Sequence, residues 1–198
     1  MKKLVLLAVV VAVAGLGCKS TRVERVDVDE AYDLSGRWND IDSQDVAKTM
    51  ISDVLSRPWL ENFRSEEGRK PAVVVGGVIN RSDEHIATET FLNDIEREFI
   101  NSGTVRSIAG DTFREKLRQE VRGQQTHASE ETAKRMAQEI GADFMLTGTI
   151  NTILDTEGGR QVKFYQVDLT LINVETHEKV WIGTEKKKKV VSRRRFGL

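Results

Sequence analysis

Residues 72–80 read Ala-Val-Val-Val-Gly-Gly-Val-Ile-Asn, and this run decides the fold. A short, uninterrupted apolar segment bounded by polar residues is typical of a strand that is buried on both faces. Such strands occur in sheets covered by helices, so the segment predicts an α/β architecture. Gly76 and Gly77 lie inside the run and are not followed by a Gly-Lys-Ser/Thr motif. We therefore expect close packing or a β-bulge there, not a phosphate-binding loop.

Apolar residues at three- and four-residue spacing on both sides of this strand indicate amphipathic helices. Asp42 or Ser43 is expected to cap the first helix, and Pro58 is expected to stop it. Thr88 and Ser129 are expected to cap two later helices. The predicted helices cover residues 42–56, 88–102, 111–122 and 129–140, with a short strand at 105–109.

The last third of the chain has strand character at residues 143–154, 161–174 and 179–190. Gly158-Gly159 and residues 175–178 are expected to form the hairpin turns between these strands. The predicted order is therefore α-β-α-β-α-α-β-β-β. We expect a single α/β domain (α+β mixed sheet), with helices packed on a mixed sheet that ends in an antiparallel three-strand meander.

Composition excludes several classes of protein. The chain has 198 residues, of which 39% are hydrophobic and 31% charged, which is typical of a globular domain. One cysteine cannot form an internal disulfide, and three histidines with one cysteine cannot build a typical structural zinc site. A net charge of −1 provides no overall basic field for nucleic acid, so we expect no nucleic-acid partner.

No residue pattern predicts catalysis. His85, His127 and His177 have no histidine at i+4, and the sequence has no Gly-x-Ser-x-Gly motif. Many carboxylates lie three or four residues from a basic residue on a predicted helix, as on a solvated surface. We therefore expect no catalytic residue, no metal and no cofactor, and a protein that is not an enzyme.

The N-terminus carries a basic pair, an apolar run over residues 4–16, and then Gly17-Cys18. The run is too short to span a bilayer and has the length of a signal-peptide core. It resembles a bacterial lipoprotein signal, in which the cysteine is acylated with palmitate-like chains and becomes the first mature residue. Gly15 and Leu16 stand in the reverse of the usual order. The alternative is an ordinary secretory signal cut near Ala12 or Ala14, which would leave Cys18 as a free thiol.

The domain organisation follows from this assignment. We predict a signal peptide at residues 1–17, a lipidated N-terminus and short tether at 18–32, and the folded domain at 33–198, ending in a basic segment. Residue 19 is Lys and not the Asp that retains lipoproteins in the inner membrane, so the resemblance implies an outer-membrane location with the domain facing the periplasm. Lys186 to Lys189 and residues 193–195 are basic and either contact an anionic partner or protect an edge strand from aggregation.

The folded part resembles the LpoB family of outer-membrane lipoproteins. The resemblance covers about 155 residues in order. It is carried by Ser-Gly-Arg-Trp-Asn-Asp at 35–40, Ile-Asn-Arg-Ser-Asp-Glu-His-Ile at 79–86, Ala-Ser-Glu-Glu-Thr-Ala at 128–133, Ile-Gly-Ala-Asp-Phe-Met-Leu-Thr-Gly-Thr-Ile at 140–150, Tyr-Gln-Val-Asp at 165–168 and Glu-Lys-Val-Trp-Ile-Gly at 178–183.

The resemblance implies a fold similar to the N-terminal domain of TolB and a role in peptidoglycan synthesis, and hence in cell-wall growth and cell shape. Family members bind the regulatory docking domain of a bifunctional, class A penicillin-binding protein and activate it. Best-known members use a long Pro-rich tether, whereas here the tether has about 15 residues and no proline. Asn80, Arg81 and His85 are the candidate partner-binding residues. The oligomeric state stays open, and the alternative role is a structural component of a curli-type outer-membrane secretion complex.

Overall fold

The computed structural model of the protein describes residues 33, 35–111, 113–115, 130–157 and 159–192, and the isolated residues 25 and 27. The backbone divides into two units, residues 1–31 and 32–198, and all elements named below belong to the second. The predicted signal peptide, Cys18, Ser129, most of the helix predicted at 111–122, Gly158 and residues 193–195 lie outside the described residues.

Helices and strands alternate through the first half of the domain, and strands dominate the last third. The helices are α1 (Asp40–Leu55), α2 (Pro58–Glu67), α3 (Thr88–Ser102) and α4 (Glu130–Glu139). The strands are β1 (Ala72–Asn80), β2 (Arg106–Ile108), β3 (Phe144–Glu157), β4 (Arg160–Asn173) and β5 (Lys179–Ser192). Residues 110, 111 and 113–115 are also helical.

The strands form one mixed sheet in the order β2-β1-β3-β4-β5. β1 pairs in parallel with both β2 and β3, which places the apolar run of β1 inside the sheet. β3, β4 and β5 pair antiparallel over long ladders, for example Ile150 opposite Val167. The predicted mixed sheet and its closing three-strand meander are confirmed.

The two glycines of β1, residues 76–77, form a β-bulge. The register with β3 shifts between Val75 and Val78, so the glycines together oppose the single residue Thr147. The side chain of Arg114 reaches this point, and its Nη1 donates to the carbonyl of Val75 at 3.1 Å. The bulge expected from the sequence is therefore present.

Two cores lie on the two faces of the sheet. The face that α1, α2 and α3 cover is called here the inner face, and the opposite face is the outer face. The inner core includes Val46, Phe91, Ile95, Phe99, Leu146, Ile150, Val167 and Leu169. A smaller core lies on the outer face beside α4 and includes Val74, Phe113, Ala133, Ala137, Met145 and Ile172. The inner core buries more apolar side chains than the outer core, and this burial holds α1, α2 and α3 on the inner face.

The start of the first helix differs from the prediction. α1 begins at Asp40, and its cap is Asn39, whose side chain accepts the N–H of Asp42 at 3.0 Å. The Asp42 carboxylate accepts the N–H of Asn39 in return, also at 3.0 Å, which completes a capping box. Asp42 is thus the third helical residue, and Ser43 instead accepts a hydrogen bond from the indole Nε1 of Trp38 at 2.7 Å.

Two other helix starts also differ from the prediction. The first helix ends at Leu55, before Pro58, as expected, but Pro58 is also the first residue of α2, which the sequence did not predict and where its missing N–H needs no partner. Thr88 is the first residue of α3 and not its cap, and Ala87 before it makes no side-chain cap. The cap position is therefore one residue earlier than predicted, and the N–H of Thr88 donates to the carbonyl of the buried Ile86 at 2.9 Å.

Asp143 joins the starts of β1 and β3. Its carboxylate accepts two hydrogen bonds from Arg69, each 2.7 Å, and one from the N–H of Ala72 at 2.7 Å. Its own carbonyl accepts the N–H of Val174 at 2.9 Å, just beyond β4. Burial disfavours ionisation of Asp143, but the Arg69 and Ala72 donors outweigh it and hold the pKa of this carboxyl below its ordinary value.

Replacing this carboxylate should make folding less stable and less dependent on pH. Because the folded-state pKa is lowered, its stabilisation is present above the unfolded-state pKa of about 3.9 and is lost as pH falls through the folded value. Asp143→Asn should lower the free energy of unfolding at pH 7 by about 1.5–3 kcal/mol. Urea unfolding between pH 2 and pH 7 measures both effects, with the exposed Glu66→Gln as control. Identical pH profiles for Asp143→Asn and the unmodified chain would contradict this assignment.

Candidate functional site

The loop between β1 and α3, residues 81–87, carries two of the three candidate partner-binding residues and is called here the 81–87 loop. It leaves the carboxyl end of β1, beside the amino-terminal segment of the domain. Its side chains alternate in exposure: Arg81, Asp83 and His85 are exposed, whereas Ser82 and Glu84 are half-buried, as is Asn80 before the loop. The loop thus has one set of side chains that holds it and another that it presents to solvent.

Asn80 belongs to the set that holds the loop. Its Nδ2 donates to the carbonyl of Glu84 at 2.8 Å. Its Oδ1 accepts the backbone N–H of Ser82 at 2.9 Å and the Ser82 hydroxyl at 2.6 Å. Both ends of the amide are therefore engaged inside the loop, in the manner of an Asx turn.

Glu84 fixes the loop to the inner face of the sheet. One carboxylate oxygen forms an ion pair with Lys163 of β4, and the two side chains are 6% and 10% exposed. The other oxygen accepts the backbone N–H of Trp38 at 3.1 Å. A single buried carboxylate therefore connects three segments that are far apart in the sequence.

Tyr165 lies beside this ion pair and is fully buried. Its hydroxyl donates to the carbonyl of Gly36 at 3.3 Å, and its ring meets Trp38 edge-on at 5.5 Å between centroids. Burial, and next the Glu84 carboxylate, raise the pKa of the Tyr165 phenol above its ordinary value. The phenol therefore stays protonated and keeps its donor.

Gly36 cannot carry a side chain at this point. Its φ is +65°, and a Cβ there would lie 2.2 Å from the Cγ2 of Val191 on β5. The glycine lets the amino-terminal segment pass close to β5, where Tyr165 holds it. The Ser-Gly-Arg-Trp stretch noted in the sequence thus has a structural role in closing the inner face.

The exposed side chains of the loop are charged or polar, apart from Ala87 next to α3. The hydroxyl of Thr152 on β3 donates to Asp83 at 2.6 Å. This hydrogen bond, together with the nearby cations Lys163 and Arg37, lowers the pKa of Asp83. The loop therefore presents a stable carboxylate between the exposed Arg81 and His85, which gives a partner both signs of charge to recognise.

The lysines of β5 divide between the two faces. β5 is the last strand in the sheet order, so these lysines lie at an edge. On the inner face, Lys187 pairs with Asp45, and Lys189 lies 2.5 Å from the carboxylate of Asp42. Lys186 and Lys188 are exposed and lie on the outer face. Only these two of the four lysines can serve a partner or protect the edge.

Sequence reasoning missed the Glu84–Lys163 pair. One signal was available: the odd-numbered residues of β4 from Tyr165 to Leu171 are apolar or aromatic and buried, and Lys163 continues that period with a charge. Its partner is 79 residues away, and no spacing rule reaches that far. Among the described residues, no group of three or more His, Cys, Asp or Glu side chains could hold a metal ion.

Breaking one side of the buried pair should cost more than removing both charges. Glu84→Gln leaves an unpaired ammonium and Lys163→Met an unpaired carboxylate, and each should lower the free energy of unfolding by about 3–5 kcal/mol. The double variant should lose less than the sum of the two losses. Denaturant unfolding measures the cycle, with the exposed Lys179→Met as control. Additive losses would show that the pair is not coupled.

Solved structures resemble this domain. The LpoB C-terminal domain from Salmonella enterica is 16% identical, with a TM-score of 0.50, covering 77% of this chain and 99% of that chain. The LpoB C-terminal domain from Escherichia coli is 17% identical with the same coverages and TM-score. The NMR structure of E. coli LpoB is 14% identical with a TM-score of 0.50, covering 90% of this chain and 83% of that chain. These likenesses concern the fold. A comparison with curated protein sequences found no match.

A family model described as peptidoglycan-synthase activator LpoB matches residues 42–187, which is 146 of the 198 residues. The match runs from the first turn of α1 into β5 and includes the 81–87 loop and both members of the buried ion pair. It confirms the family that the sequence stretches indicated, and the chain belongs to the LpoB family of peptidoglycan-synthase activators.

Proposed function

We propose that this protein is a lipid-anchored regulatory protein of the outer membrane that binds and activates a bifunctional, class A penicillin-binding protein. The observation that carries the proposal is the family match over residues 42–187, since the family is one of peptidoglycan-synthase activators. An activator of this kind works through a recognition surface and needs no reacting group of its own.

Activation by binding sets an energetic requirement. The protein must bind the active form of the synthase more tightly than the inactive form, because a ligand shifts an equilibrium only by its difference in affinity. A tenfold shift of the synthase population toward the active form needs about 1.4 kcal/mol of such difference. A few well-placed polar contacts can supply that amount.

The 81–87 loop is the surface that we assign to this contact. Asn80 and Glu84 hold the loop from within, so it loses little conformational freedom when a partner binds. Arg81, Asp83 and His85 point to solvent and provide mixed charge for recognition. Asn80 then contributes by positioning the loop, and Arg81 and His85 contribute by contact.

The anchor that we propose is Cys18, with a signal peptide at residues 1–17, a tether at 18–32 and the domain at 33–198. Two or three acyl chains would hold the protein on the membrane without a spanning helix. Among the described residues, no helix is both long and apolar enough to cross a bilayer.

The short tether limits where the partner can be. Fewer than 15 residues separate Cys18 from Asp33, and an extended chain spans at most about 3.5 Å per residue, or roughly 50 Å in total. The proposal therefore requires the synthase to reach a domain whose first residue lies within about 50 Å of the outer membrane.

Loss of the loop contacts should weaken synthase capture. We expect Arg81→Ala and His85→Ala to reduce recovery of a class A penicillin-binding protein about tenfold in crosslinking pulldowns from cells, because each removes an exposed contact worth roughly 1–2 kcal/mol. The same variants should reduce stimulation of glycan polymerisation by the purified synthase. Lys48→Ala, at an exposed site on α1, is the matched control. Recovery of a ring-forming oligomer without any synthase would instead favour the secretion-complex alternative.

Removal of the thiol should release the protein from membranes. Cys18→Ala should move the chain from the membrane fraction to the soluble periplasmic fraction, because acylation then has no acceptor. Ser20→Ala keeps the cysteine and should stay with the membrane. Fractionation and mass spectrometry of the N-terminal peptide measure both. An unchanged membrane fraction for Cys18→Ala would refute lipidation at this residue.

A further inference from the structure

Within the part of the chain that the structure describes, one long edge of the sheet is open. β5 is the last strand in the sheet order and pairs only with β4, residue for residue from Trp181 to Ser192. The strand at the opposite edge, β2, has three residues, whereas β5 has 14. A short edge strand offers little to an incoming strand, but a long regular one presents a row of backbone N–H and C=O groups. β5 therefore has the backbone needed to accept a further strand.

The outer-face side chains of β5 determine which strand fits beside it. Ile182, Thr184, Lys186 and Lys188 occupy alternate positions and are exposed. Neither lysine forms an ion pair with any described residue. Asp168 of β4 lies on the same face, but it accepts the hydroxyl of Thr184 at 2.7 Å. The outer face of β5 thus carries two adjacent positive charges that no carboxylate of the described residues contacts.

The inner-face lysines of β5 add no such requirement. Lys187 pairs with Asp45 and Lys189 with Asp42, so both are neutralised within the domain. Cross-strand neighbours on one face of a sheet lie about 4.5–5.5 Å apart, and opposite charges there attract whereas like charges repel. An incoming strand is therefore favoured when its carboxylates lie beside the two outer-face lysines.

A second copy of β5 does not meet this requirement. In an antiparallel pair of two β5 strands related by a two-fold axis, the outer faces of both copies lie on one side of the joined sheet. The outer row of β5, from Ile182 to Ser192, has no acidic residue. Pairing through the middle of the strand would set Lys186 or Lys188 against a lysine of the copy, which is destabilising. The lysines thus discourage self-association and leave the edge open to an acidic strand.

We propose that the edge of β5 from Ile182 to Lys188 binds an extended acidic segment of a second protein by strand addition. Main-chain hydrogen bonds to β5 provide affinity, and carboxylates beside Lys186 and Lys188 provide selectivity. This interaction goes beyond the proposed function and does not rest on it. The 81–87 loop contacts Trp38 and Lys163 on the inner side of the sheet, whereas the selective lysines lie on the outer side.

Peptide binding by the purified full chain tests the charge requirement. The probe is a fluorescent nine-residue peptide in which glutamate alternates with valine, and the matched control peptide has lysine in place of each glutamate. Fluorescence anisotropy should show at least tenfold tighter binding of the glutamate peptide, because its carboxylates pair with lysines where the control repels them. Equal binding of the two peptides overturns the proposal.

Hydrogen exchange tests the backbone pairing. At ten times its Kd, the glutamate peptide should slow exchange about tenfold at those amides of residues 182–188 that do not pair with β4, since strand addition gives them hydrogen-bond partners. Mass spectrometry of the β5 peptides measures the change, and α1 supplies the internal control, where exchange should not change. Binding without added protection in β5 would show contact through side-chain charge alone and overturns strand addition.

Charge reversal tests the position of the site. Lys186→Glu should weaken binding of the glutamate peptide about tenfold, because repulsion replaces an attraction. Lys48→Glu, at an exposed site on α1, changes the net charge equally and should leave binding within twofold. Circular dichroism reports whether each variant is folded. An equal loss in both variants would show that binding follows net charge, which overturns a site on β5.

Arg81→Ala separates strand addition from the proposed function. It should keep the full affinity for the glutamate peptide, whereas its synthase recovery should fall. Loss of peptide binding in Arg81→Ala would place the acidic segment on the 81–87 loop and overturn strand addition at β5. Unchanged synthase recovery with intact peptide binding would contradict only the assignment of the 81–87 loop to the synthase and would support an independent site on β5.

Discussion

The ion pair between Glu84 and Lys163 is the contact on which the inner side of the domain depends. Two charges taken out of water gain little net stability from each other, but a lone one left behind is very costly. The folded domain must therefore keep both charges together. Because Glu84 also accepts the N–H of Trp38, the same carboxylate holds the amino-terminal segment where it enters the domain. The cap of α1 is the residue after Trp38, Tyr165 packs on Trp38, and Glu84 belongs to the 81–87 loop, so all three features lie around this contact.

The sequence predicted the parts of this structure whose causes are local. The apolar run of β1 has the bounds expected for it, and the meander appears because its strands are adjacent in the chain. Helix starts were less well predicted, since Asn39 and Asp42 cap each other reciprocally and either could be read as the cap. The candidate site was only half predictable. Arg81 and His85 lie on the surface as their polar context indicated, but the partners of Glu84 and Lys163 depend on contacts across 79 residues.

The two faces of the sheet serve different purposes in this structure. The inner face buries the main core and supports the 81–87 loop, whereas the outer face is covered beside α4 and open at the far end of the meander. β5 contributes to both, because alternate side chains of a strand point in opposite directions. Lys187 and Lys189 are engaged by carboxylates at and before α1, and Lys186 and Lys188 remain at the surface. A contiguous basic run thus contains two lysines in ion pairs on the inner face and two exposed lysines on the outer face.

The bulge in β1 bears on how distant members of this fold are related. Because residues 76–77 together oppose one residue of β3, the strand carries nine residues where its ladder with β3 needs only eight. Loss of one glycine would leave every other side chain of β1 on its present face and in its present register. An alignment would score such a change as a gap inside a strand, which ordinarily counts against homology. In this architecture a gap at that point is geometrically neutral, so relatives separated by low identity can differ there and still share the fold.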